Sequence, residues 1–375
     1  MSPGRVMCFA TQGHSHIEDE RIRGLLELLE PEHFSFDRER KLRSAIRLLK
    51  AVRARRPAVV VMEGTGTAGG ITLLAIDALL GIPFIFSSGD AVGPYLRLRS
   101  RLVGALGGAY ERLLCRRCAG YIGWTPYLVG RAMTFGSQRA MTAAGWTRGQ
   151  ASAGARERVR ASLGIAPDTL VAGLVGSLHM ARRIDYVYGA ELVRAIRGVQ
   201  RRDVAVCVVG DGSGLARLKE LAGDDLGSRV LLPGRVPPAE VPDYLAAFDL
   251  ASLPQSVDRV GSFRYTTKMS EYLAAELPIV TGETPLAYDL DEGCIWRVPG
   301  PSPWSPTYVD ALSGLLASLS AAELAGRREA VRRRRVELFD KSVQQQRAAA
   351  FVRDILANRS SSPAGRGGPP AAGCS

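Results

Sequence analysis

Residues 261–282, GSFRYTTKMSEYLAAELPIVTG, join a Gly/Ser-containing loop to a short helix with one acidic residue, Glu271, and then to an apolar strand. A helix N-terminus presents unpaired N–H groups and a partial positive charge, which together favour phosphate binding. Thr266 or Thr267 is placed to cap this helix. A carboxylate one turn further in, at Glu271, is well placed to accept hydrogen bonds from ribose hydroxyls. The segment therefore predicts half of a nucleotide-diphosphate site.

An ordinary amphipathic helix with Glu271 in solvent fits the same residues, but the preceding segments favour the binding site. They are VAGLVGSLHMARRIDYVYGAELVRAI (171–196), VAVCVVGDGSGLARLKELA (204–222) and RVLLPGRVPPAEVPDYLAAFDLASLP (229–254). Strand, glycine turn and helix alternate along them at α/β spacing. This ordered run, over roughly residues 165–300, resembles the C-terminal half of glycosyltransferase family 4. The resemblance implies the GT-B fold, an α/β architecture with two Rossmann-like doubly wound domains facing across a cleft.

The loop after the first strand of the second domain reads GSLHMARR (176–183). The resemblance implies that Arg182 stands where the family carries a lysine, and that Ser177 stands where it usually carries an arginine. Gly176 and Ser177 are therefore expected to lie at the donor diphosphate. Arg182 or Arg183 is expected to bind the diphosphate through bidentate hydrogen bonds. The change to Ser177 leaves one cation missing, so either Arg183 compensates or the site is weaker than in typical members.

The sugar pocket is where the chain departs most from the family pattern. Members often carry two glutamates eight positions apart, the first approaching the donor sugar. Counting back from Glu271, that first position holds Phe263, and Asp258 is the nearest acidic residue in the loop. Some members with a similar lead-in lack the first glutamate, so transfer remains expected. Gly234 and Val236 occupy the place where family members hold the nucleotide base through backbone groups.

Two other motifs suggest different chemistry. The turn VGDGSG (209–214) resembles a dinucleotide fingerprint, but its Gly-x-Gly-x-Gly spacing differs from GxGxxG, and we interpret its glycines as structural. His14 and His16 resemble the His-x-His motif of metal-dependent amidohydrolases. Such sites need further histidines, and the chain holds only His33 and His179 besides. We therefore expect no metal-dependent hydrolase.

Acidic residues outside the donor segment are candidates for catalysis and for metal binding. Asp90 follows the strand PFIFSSG (83–89) and faces the expected cleft, where it either orients an acceptor hydroxyl or caps the next helix. Asp289 and Asp291 form the Asp-x-Asp metal signature of the other glycosyltransferase fold, but they lie late in a loop. We predict no metal and no cofactor, the nucleotide-sugar being a substrate. The predicted catalytic residues are Arg182, Glu271 and Asp90.

Length and composition indicate a two-domain globular protein. At 375 residues the chain exceeds the usual size of one hydrophobic core, and 46% hydrophobic with 23% charged residues is ordinary. We expect an N-terminal domain over 1–150, a C-terminal domain over 151–339, a crossover helix over 340–357 and a disordered tail over 358–375. The longest apolar run, 71–86, is interrupted by charged and helix-breaking residues and is too short to span a membrane.

Positive charge is concentrated in the N-terminal half. Residues 1–150 hold 21 Lys and Arg against 12 Asp and Glu, whereas the remainder holds 28 against 25. Much of the excess lies in 38–56 and 95–118. Apolar residues recur at helical spacing in the first of these segments, at Leu42, Ala45, Ile46, Leu49 and Val52. The pattern fits a helix on an anionic membrane surface or a solvated face of an Arg-rich protein. Nucleic acid is not expected, because exposed aromatics and known binding motifs are lacking.

These features predict a cytoplasmic protein, and the resemblance implies a retaining hexosyltransferase. The resemblance implies transfer of a sugar from a nucleotide-diphosphate donor to a hydroxyl acceptor, with a donor diphosphate oxygen taking the acceptor proton. The acceptor is expected to be a saccharide, a lipid-linked sugar or a small molecule, in surface polysaccharide or glycoconjugate synthesis. Membrane contact would place the protein on the inner face of the membrane. The alternatives are an epimerase or phosphorylase on the same fold, and a degenerate protein that only binds a partner.

Overall fold

The computed structural model describes residues 5–14, 16–147, 149–181, 183–264, 267–333 and 339–360. The chain forms two units, Met1–Ala143 together with Lys341–Ser375, and Ala144–Asp340. The second unit is continuous in sequence, whereas the first is assembled from both ends of the chain. The second unit therefore begins at Ala144, somewhat before the expected boundary at residue 150.

The first unit contains a six-stranded parallel sheet with helices around it. Its strands are β1 (Val6–Ala10), β2 (Glu32–His33), β3 (Val59–Glu63), β4 (Phe84–Ser88), β5 (Gly120–Gly123) and β6 (Ala140–Thr142). They lie in the order β2-β1-β3-β4-β5-β6. Its helices up to residue 134 are α1 (Ile17–Leu25), α2 (Lys41–Arg55), α3 (Thr67–Leu80), α4 (Val92–Arg97), α5 (Arg101–Arg117) and α6 (Pro126–Thr134). Strands β1, β3 and β4 are buried throughout, as their unbroken apolar sequences predict for a sheet covered on both faces.

The second unit repeats this architecture. Its strands are β7 (Leu170–Val175), β8 (Val204–Val209), β9 (Val230–Gly234), β10 (Leu250–Leu253), β11 (Ile279–Gly282) and β12 (Ile295–Val298). All pair in parallel, in the order β12-β11-β10-β7-β8-β9. Its helices are α7 (Ala155–Ser162), α8 (Ala190–Ala195), α9 (Leu215–Ala222), α10 (Val241–Ala246), α11 (Thr267–Ala274), α12 (Pro285–Asp289), α13 (Pro306–Ser318) and α14 (Ala321–Arg333).

The C-terminal helix α15 (Lys341–Ser360) packs on the first unit. The Gln345 amide donates hydrogen bonds of 2.7 Å to the Gly24 carbonyl and to Glu27, and the Lys341 ammonium lies 3.1 Å from the same Glu27 carboxylate. Val352 and Ile355 of α15 are buried. Among the described residues, no single helix is long and apolar enough to cross a membrane, and α13 and α14, which would suffice together, are bent by 105°.

The apolar pattern of the first half predicts one long helix near 95–118 and strands over 121–126 and 33–37, and the structure corrects all three. The helix expected near 95–118 is two helices, because the Ser100 hydroxyl accepts the Val103 N–H at 3.1 Å and starts α5 anew. The strand expected over 121–126 ends at Gly123, since Thr125 caps α6 and proline follows it. The strand expected over 33–37 ends at His33. Asp37 instead accepts the backbone N–H groups of Glu39 and Arg40 and turns the chain towards α2.

The apolar face expected for α2 is only partly buried. Its buried residues are Ser44, Leu48 and Val52, spaced one turn apart, and the helix packs against α3 along this narrow stripe. Leu42 and Ile46 belong to the neighbouring stripe and are 79% and 58% exposed. The basic helix thus exposes apolar as well as charged side chains.

An ion-pair cluster fastens α7 to the sheet of the second unit. The Asp249 carboxylate accepts hydrogen bonds of 2.6 Å from Arg156 and from Arg160, and also the Val171 N–H at 2.9 Å. The Arg160 side chain is nearly inaccessible and further donates to backbone carbonyls, including that of Ala247. Because each charge is compensated only by this geometry, the loss of one partner leaves a buried charge.

We predict that Asp249→Ala lowers the free energy of unfolding by about 3–5 kcal/mol, the usual effect of stranding one partner of a buried pair. The matched control is Asp203→Ala, which removes a more exposed partner of Arg201 and should cost no more than about 1 kcal/mol. Urea denaturation of both variants measures the difference. Equal losses in the two variants would contradict the role assigned to this cluster.

Candidate functional site

The loops that follow β7 and β8 are connected by hydrogen bonds between their backbones. They lie at the carboxyl edge of the second sheet, which is where open α/β sheets bind their ligands. The Gly176 N–H donates to the Val209 carbonyl at 2.9 Å, and the Leu178 N–H donates to the Asp211 carbonyl at 3.0 Å. The Gly214 N–H in turn donates to the Leu178 carbonyl at 2.7 Å. These bonds hold the two loops together as one surface.

Glycine is required where the loops meet. Gly210 has φ +149°, and a Cβ placed on it would lie 1.9 Å from the Gly176 carbonyl oxygen. Gly212 has φ +153°, and its Cβ would lie 2.6 Å from the Leu178 carbonyl oxygen. A side chain at either position would push the loops apart, so these glycines have the structural role that their spacing suggests.

A pocket of about 440 Å³ opens between the loops that follow β7, β8 and β9. This volume is within the range of small-molecule sites. Its lining residues are Val175, Gly176, Ser177, His179, Val209, Gly210, Asp211, Gly212, Arg235, Val236 and Val241. The wall combines three glycines and four valines with a guanidinium, an imidazole, a hydroxyl and a carboxylate. Such a wall is suited to a small polar ligand.

The pocket contains part of the predicted donor site. Gly176, Ser177 and Val236 line it. Gly234 lies beside it, with its carbonyl accepting the Gly210 N–H at 2.8 Å. Arg183 is exposed in the turn beyond the β7 loop and does not line the pocket.

Two predicted residues, Arg182 and Thr266, lie outside the described residues, and so does the side chain of Thr267, the first residue of α11. Glu271 is on α11, one turn from its start, and is partly buried. The assignment of all four to the donor site remains a prediction.

Lys268 is a functional candidate that sequence reasoning missed. A Cβ placed on Gly176 would lie 3.0 Å from the Lys268 Nζ, so the ammonium sits directly against the pocket wall. It also lies 5.1 Å from the centre of the Tyr188 ring. Burial lowers the pKa of Lys268, while the Glu271 carboxylate favours its charged form and Arg264 opposes it. The sequence signal that could have identified Lys268 is its position three residues before Glu271, because residues at this spacing lie on the same helix face.

A buried polar network sets the position of α11 and of the β7 loop. Glu191, on α8, is fully buried and accepts hydrogen bonds from the Tyr186 hydroxyl at 2.8 Å and from the Gly189 N–H at 3.1 Å. Its other oxygen accepts the Ser252 hydroxyl at 3.1 Å. The hydroxyl of Tyr272, on α11, donates to the Ser252 carbonyl at 3.1 Å. The network therefore links the chain beyond the β7 loop, through β10, to the helix that carries Lys268.

Asp258, considered for the sugar pocket, and Asp291, considered for metal binding, both accept hydrogen bonds from backbone N–H groups. One carboxylate oxygen of Asp258 accepts the N–H groups of Val260 and Gly261, at 2.7 and 2.8 Å, and so shapes the turn before Phe263. In the Asp-x-Asp segment, one Asp291 oxygen accepts three backbone N–H groups and the other pairs with an arginine. Both aspartates thus have structural tasks.

Asp90 belongs to the first unit, so its catalytic role remains a prediction. It does not cap the next helix, because Ala91 is the N-cap residue of α4 and no side chain bonds there. The Ser88 hydroxyl donates to the Asp90 carbonyl at 2.7 Å and accepts the Asp90 N–H at 3.2 Å. These bonds fold the loop after β4.

A buried ion pair that the sequence did not reveal lies at the same edge of the first sheet. Glu63 ends β3, is fully buried and accepts hydrogen bonds from Arg21 at 2.5 Å and from the Trp124 indole at 2.9 Å. The Arg21 guanidinium lies 4.4 Å from the Trp124 ring centre and also donates to Ser87. The pair holds α1 against the ends of β3, β4 and β5.

Comparison with known proteins relates the second unit to a known family. Residues 170–316 match the family model described as glycosyl transferases group 1, so the second unit is similar to that family over these residues. The resemblance seen over residues 165–300 is thereby confirmed. No curated protein matches the sequence.

Solved structures share the fold over nearly the whole chain. HepE of Anabaena, in complex with UDP, has a TM-score of 0.68 at 15% identity, covering 93% of this chain and 100% of its own. Sucrose-phosphate synthase of Thermosynechococcus elongatus has a TM-score of 0.69 at 14% identity, with 94% and 100% covered. WaaG, a glycosyltransferase involved in lipopolysaccharide biosynthesis, has a TM-score of 0.66 at 12% identity, with 92% and 99% covered. The predicted GT-B fold of two Rossmann-like units is confirmed.

We predict that Glu191→Gln changes how stability depends on pH. Burial raises the pKa of Glu191, and its hydrogen bonds from Tyr186 and others offset this only in part. The folded state therefore binds the proton more tightly than the unfolded chain, whose glutamate pKa is about 4.3. The contribution of Glu191 to stability is complete below that pKa and is lost as pH rises through the folded value. The variant, which cannot ionise, should gain stability relative to wild type between about pH 4.5 and pH 7.5.

Urea midpoints of wild type and variant at the two pH values measure this gain. Glu220→Gln is the control, because Glu220 is an exposed residue of α9, and its difference from wild type should stay nearly constant. A Glu191→Gln difference that is the same at both pH values would contradict the raised pKa.

Proposed function

We infer that this chain, whose second unit is similar to the glycosyl transferases group 1 family, transfers a sugar from a nucleotide-diphosphate donor to a hydroxyl acceptor. The single observation that carries this proposal is the pocket between the β7, β8 and β9 loops, with the Lys268 ammonium against its Gly176 wall. The complex of HepE with UDP supports a nucleotide as the ligand of this fold.

The donor diphosphate occupies the β7 side of the pocket in this proposal. Ser177 stands where the family usually carries an arginine, and Lys268 supplies the positive charge that is missing there. Arg182 or Arg183 supplies a second positive charge. A bound diphosphate favours the charged form of Lys268 and so offsets the effect of burial on its pKa. Glu271 accepts hydrogen bonds from the ribose hydroxyls, and the base lies towards Gly234 and Val236.

Transfer then needs stabilisation of the departing nucleotide. The bond between the anomeric carbon and the diphosphate oxygen breaks, and the acceptor oxygen bonds to that carbon on the same face. The acceptor proton passes to a diphosphate oxygen, which gives a nucleoside diphosphate and a glycoside of retained configuration. The positive charges of Lys268 and Arg182 stabilise the growing diphosphate charge in this proposal. The scheme requires no divalent metal, and Asp90 orients the acceptor hydroxyl.

The acceptor is proposed to be lipid-linked, on the basis of the surface of α4 and α5. Gly104 and Gly107 let α4 pack closely on α5, since a Cβ on either would lie within 2.6 Å of an α4 side chain. Leu98, Leu102 and Leu106 are 57%, 70% and 63% exposed. Arginines at positions 97, 99 and 101 are exposed beside them. We name these leucines and arginines the α4–α5 patch.

Apolar side chains flanked by arginine are the composition of a surface that inserts into anionic lipid headgroups. The exposed Leu42 and Ile46 of the basic helix α2 add to the apolar surface of the first unit. The protein is therefore proposed to act at the inner face of a membrane, where its glycoside enters a surface polysaccharide or glycoconjugate. The involvement of WaaG, which shares the fold, in lipopolysaccharide biosynthesis supports this assignment.

We predict that one of UDP, GDP, ADP and dTDP stabilises the wild-type protein against heat. A ligand at a hundred times its Kd adds about 2.7 kcal/mol. Lys268→Ala removes a charge-assisted hydrogen bond, worth about 1.5–3 kcal/mol, and should raise Kd roughly tenfold to a hundredfold. Glu271→Ala should weaken binding as well. Lys219→Ala, an exposed lysine of α9, is the matched control and should bind as wild type does.

Donor hydrolysis or transfer is then assayed with the nucleotide-sugar of the base that binds. Lys268→Ala binding like Lys219→Ala would refute the role of Lys268. A folded protein that no nucleotide stabilises would refute the donor site altogether. Binding without any turnover would favour the degenerate binding protein.

We predict that the double variant Leu102→Asn, Leu106→Asn loses binding to phosphatidylglycerol-containing vesicles. Burying a leucine is worth about 1.5–3 kcal/mol, so the partition coefficient should fall at least tenfold. Leu79→Asn, which alters an exposed leucine of α3 outside the patch, should have little effect. Vesicle sedimentation at two salt concentrations measures the partition. Equal binding of wild type and double variant would count against a membrane-bound acceptor.

A further inference from the structure

Three metal-ligating side chains from separate elements of the first unit converge. They are His14 in the loop after β1, Asp19 on α1 and His33 at the end of β2. One ligand atom from each lies within 4.8 Å of the others. Nothing in the proposed sugar transfer uses this cluster.

One of the two distances within the cluster already suits a small tetrahedral cation. The His14 Nδ1 lies 3.3 Å from one Asp19 oxygen, and the His33 Nε2 lies 2.6 Å from the other. Two ligands about 2.0–2.1 Å from zinc at a tetrahedral angle are about 3.3 Å apart. The first pair already has this separation. In the second pair, His33 and Asp19 form a hydrogen bond, and this bond would break when both groups coordinate the metal ion.

The buried carboxylate of Asp19 is the strongest observation in favour of a cation at this cluster. Asp19 is 1% exposed, and its Oδ2, the oxygen that faces His14, is buried without a hydrogen-bond partner. The Arg23 guanidinium lies 3.2 Å from that oxygen without forming a hydrogen bond to it, and its side chain is 43% exposed. A buried carboxylate oxygen is costly unless a cation or a donor satisfies it.

We propose that His14, Asp19 and His33 bind a zinc ion. Two imidazole nitrogens and a carboxylate oxygen are ligands that zinc prefers, and its fourth position would be open to water because His14 is exposed. The ion would tie the loop after β1 to α1 and β2, which stabilises the first unit. This assignment departs from the sequence-based expectation that no metal binds.

The test is zinc binding by the full chain after removal of metal with chelator. Isothermal titration with zinc chloride should give one tight site per chain, and zinc should raise the Tm. His14→Ala and His33→Ala should each weaken binding at least tenfold and abolish the Tm increase. Because His14 is exposed, His14→Ala should fold even if His33→Ala does not.

Two histidine variants serve as matched controls. The His16 ring accepts the Glu18 N–H at 3.3 Å as the cap of α1, and His179 lies in the second unit. His16→Ala and His179→Ala should retain the zinc site. The measurements are made with Cys374→Ser present throughout, which removes a thiol outside the described residues.

Absence of stoichiometric zinc binding, or undiminished binding by His14→Ala, would overturn the proposal. The tetrahedral spectrum of bound cobalt offers an independent readout that should disappear in the same variants. None of these measurements depends on nucleotide binding, so the zinc site and the donor site can fail separately.

Discussion

The contact between the backbones of the β7 and β8 loops is the constraint on which the candidate site depends. Gly210 and Gly212 approach carbonyl oxygens so closely that no side chain fits between them. Hydrogen bonds between main-chain groups therefore hold the two loops together and fix the pocket wall that they form. Asp211 and Arg235 line that wall, and the Lys268 ammonium lies against it at Gly176.

Burial and charge act against each other around that pocket. Lys268 is brought to the Gly176 wall by α11, whose Tyr272 is anchored through Ser252 to the buried carboxyl of Glu191. The same burial that holds the amine in place lowers its pKa, so an anionic ligand would be the natural partner for its charge. The position of the cation is thus maintained by a buried hydrogen-bond network beneath it rather than by a surface ion pair.

Local signals explain which predictions were right. Alternating apolar strands and glycine turns predicted both sheets, because strand pairing and turn geometry depend on neighbouring residues. The errors at Ser100 and Thr125 concern caps that were present in the sequence and were overlooked. The apolar face of α2 is less buried than expected for a different reason. Periodicity shows that a helix has an apolar face, but it does not show how much of that face the neighbouring helix covers. Leu42 and Ile46 are exposed for that reason.

Residues distant in sequence meet only through packing. Lys268 is far along the chain from Gly176, and the separation of His14 from His33 follows no motif, so neither encounter could be predicted from spacing. The amino-acid sequence alone specifies the two α/β units, the glycine turn and the family resemblance of the second unit, because short-range propensities and periodicity encode them. Only the tertiary structure decides which cation reaches the pocket, which apolar residues face solvent and which ligands converge, because those outcomes depend on how separate elements pack against one another.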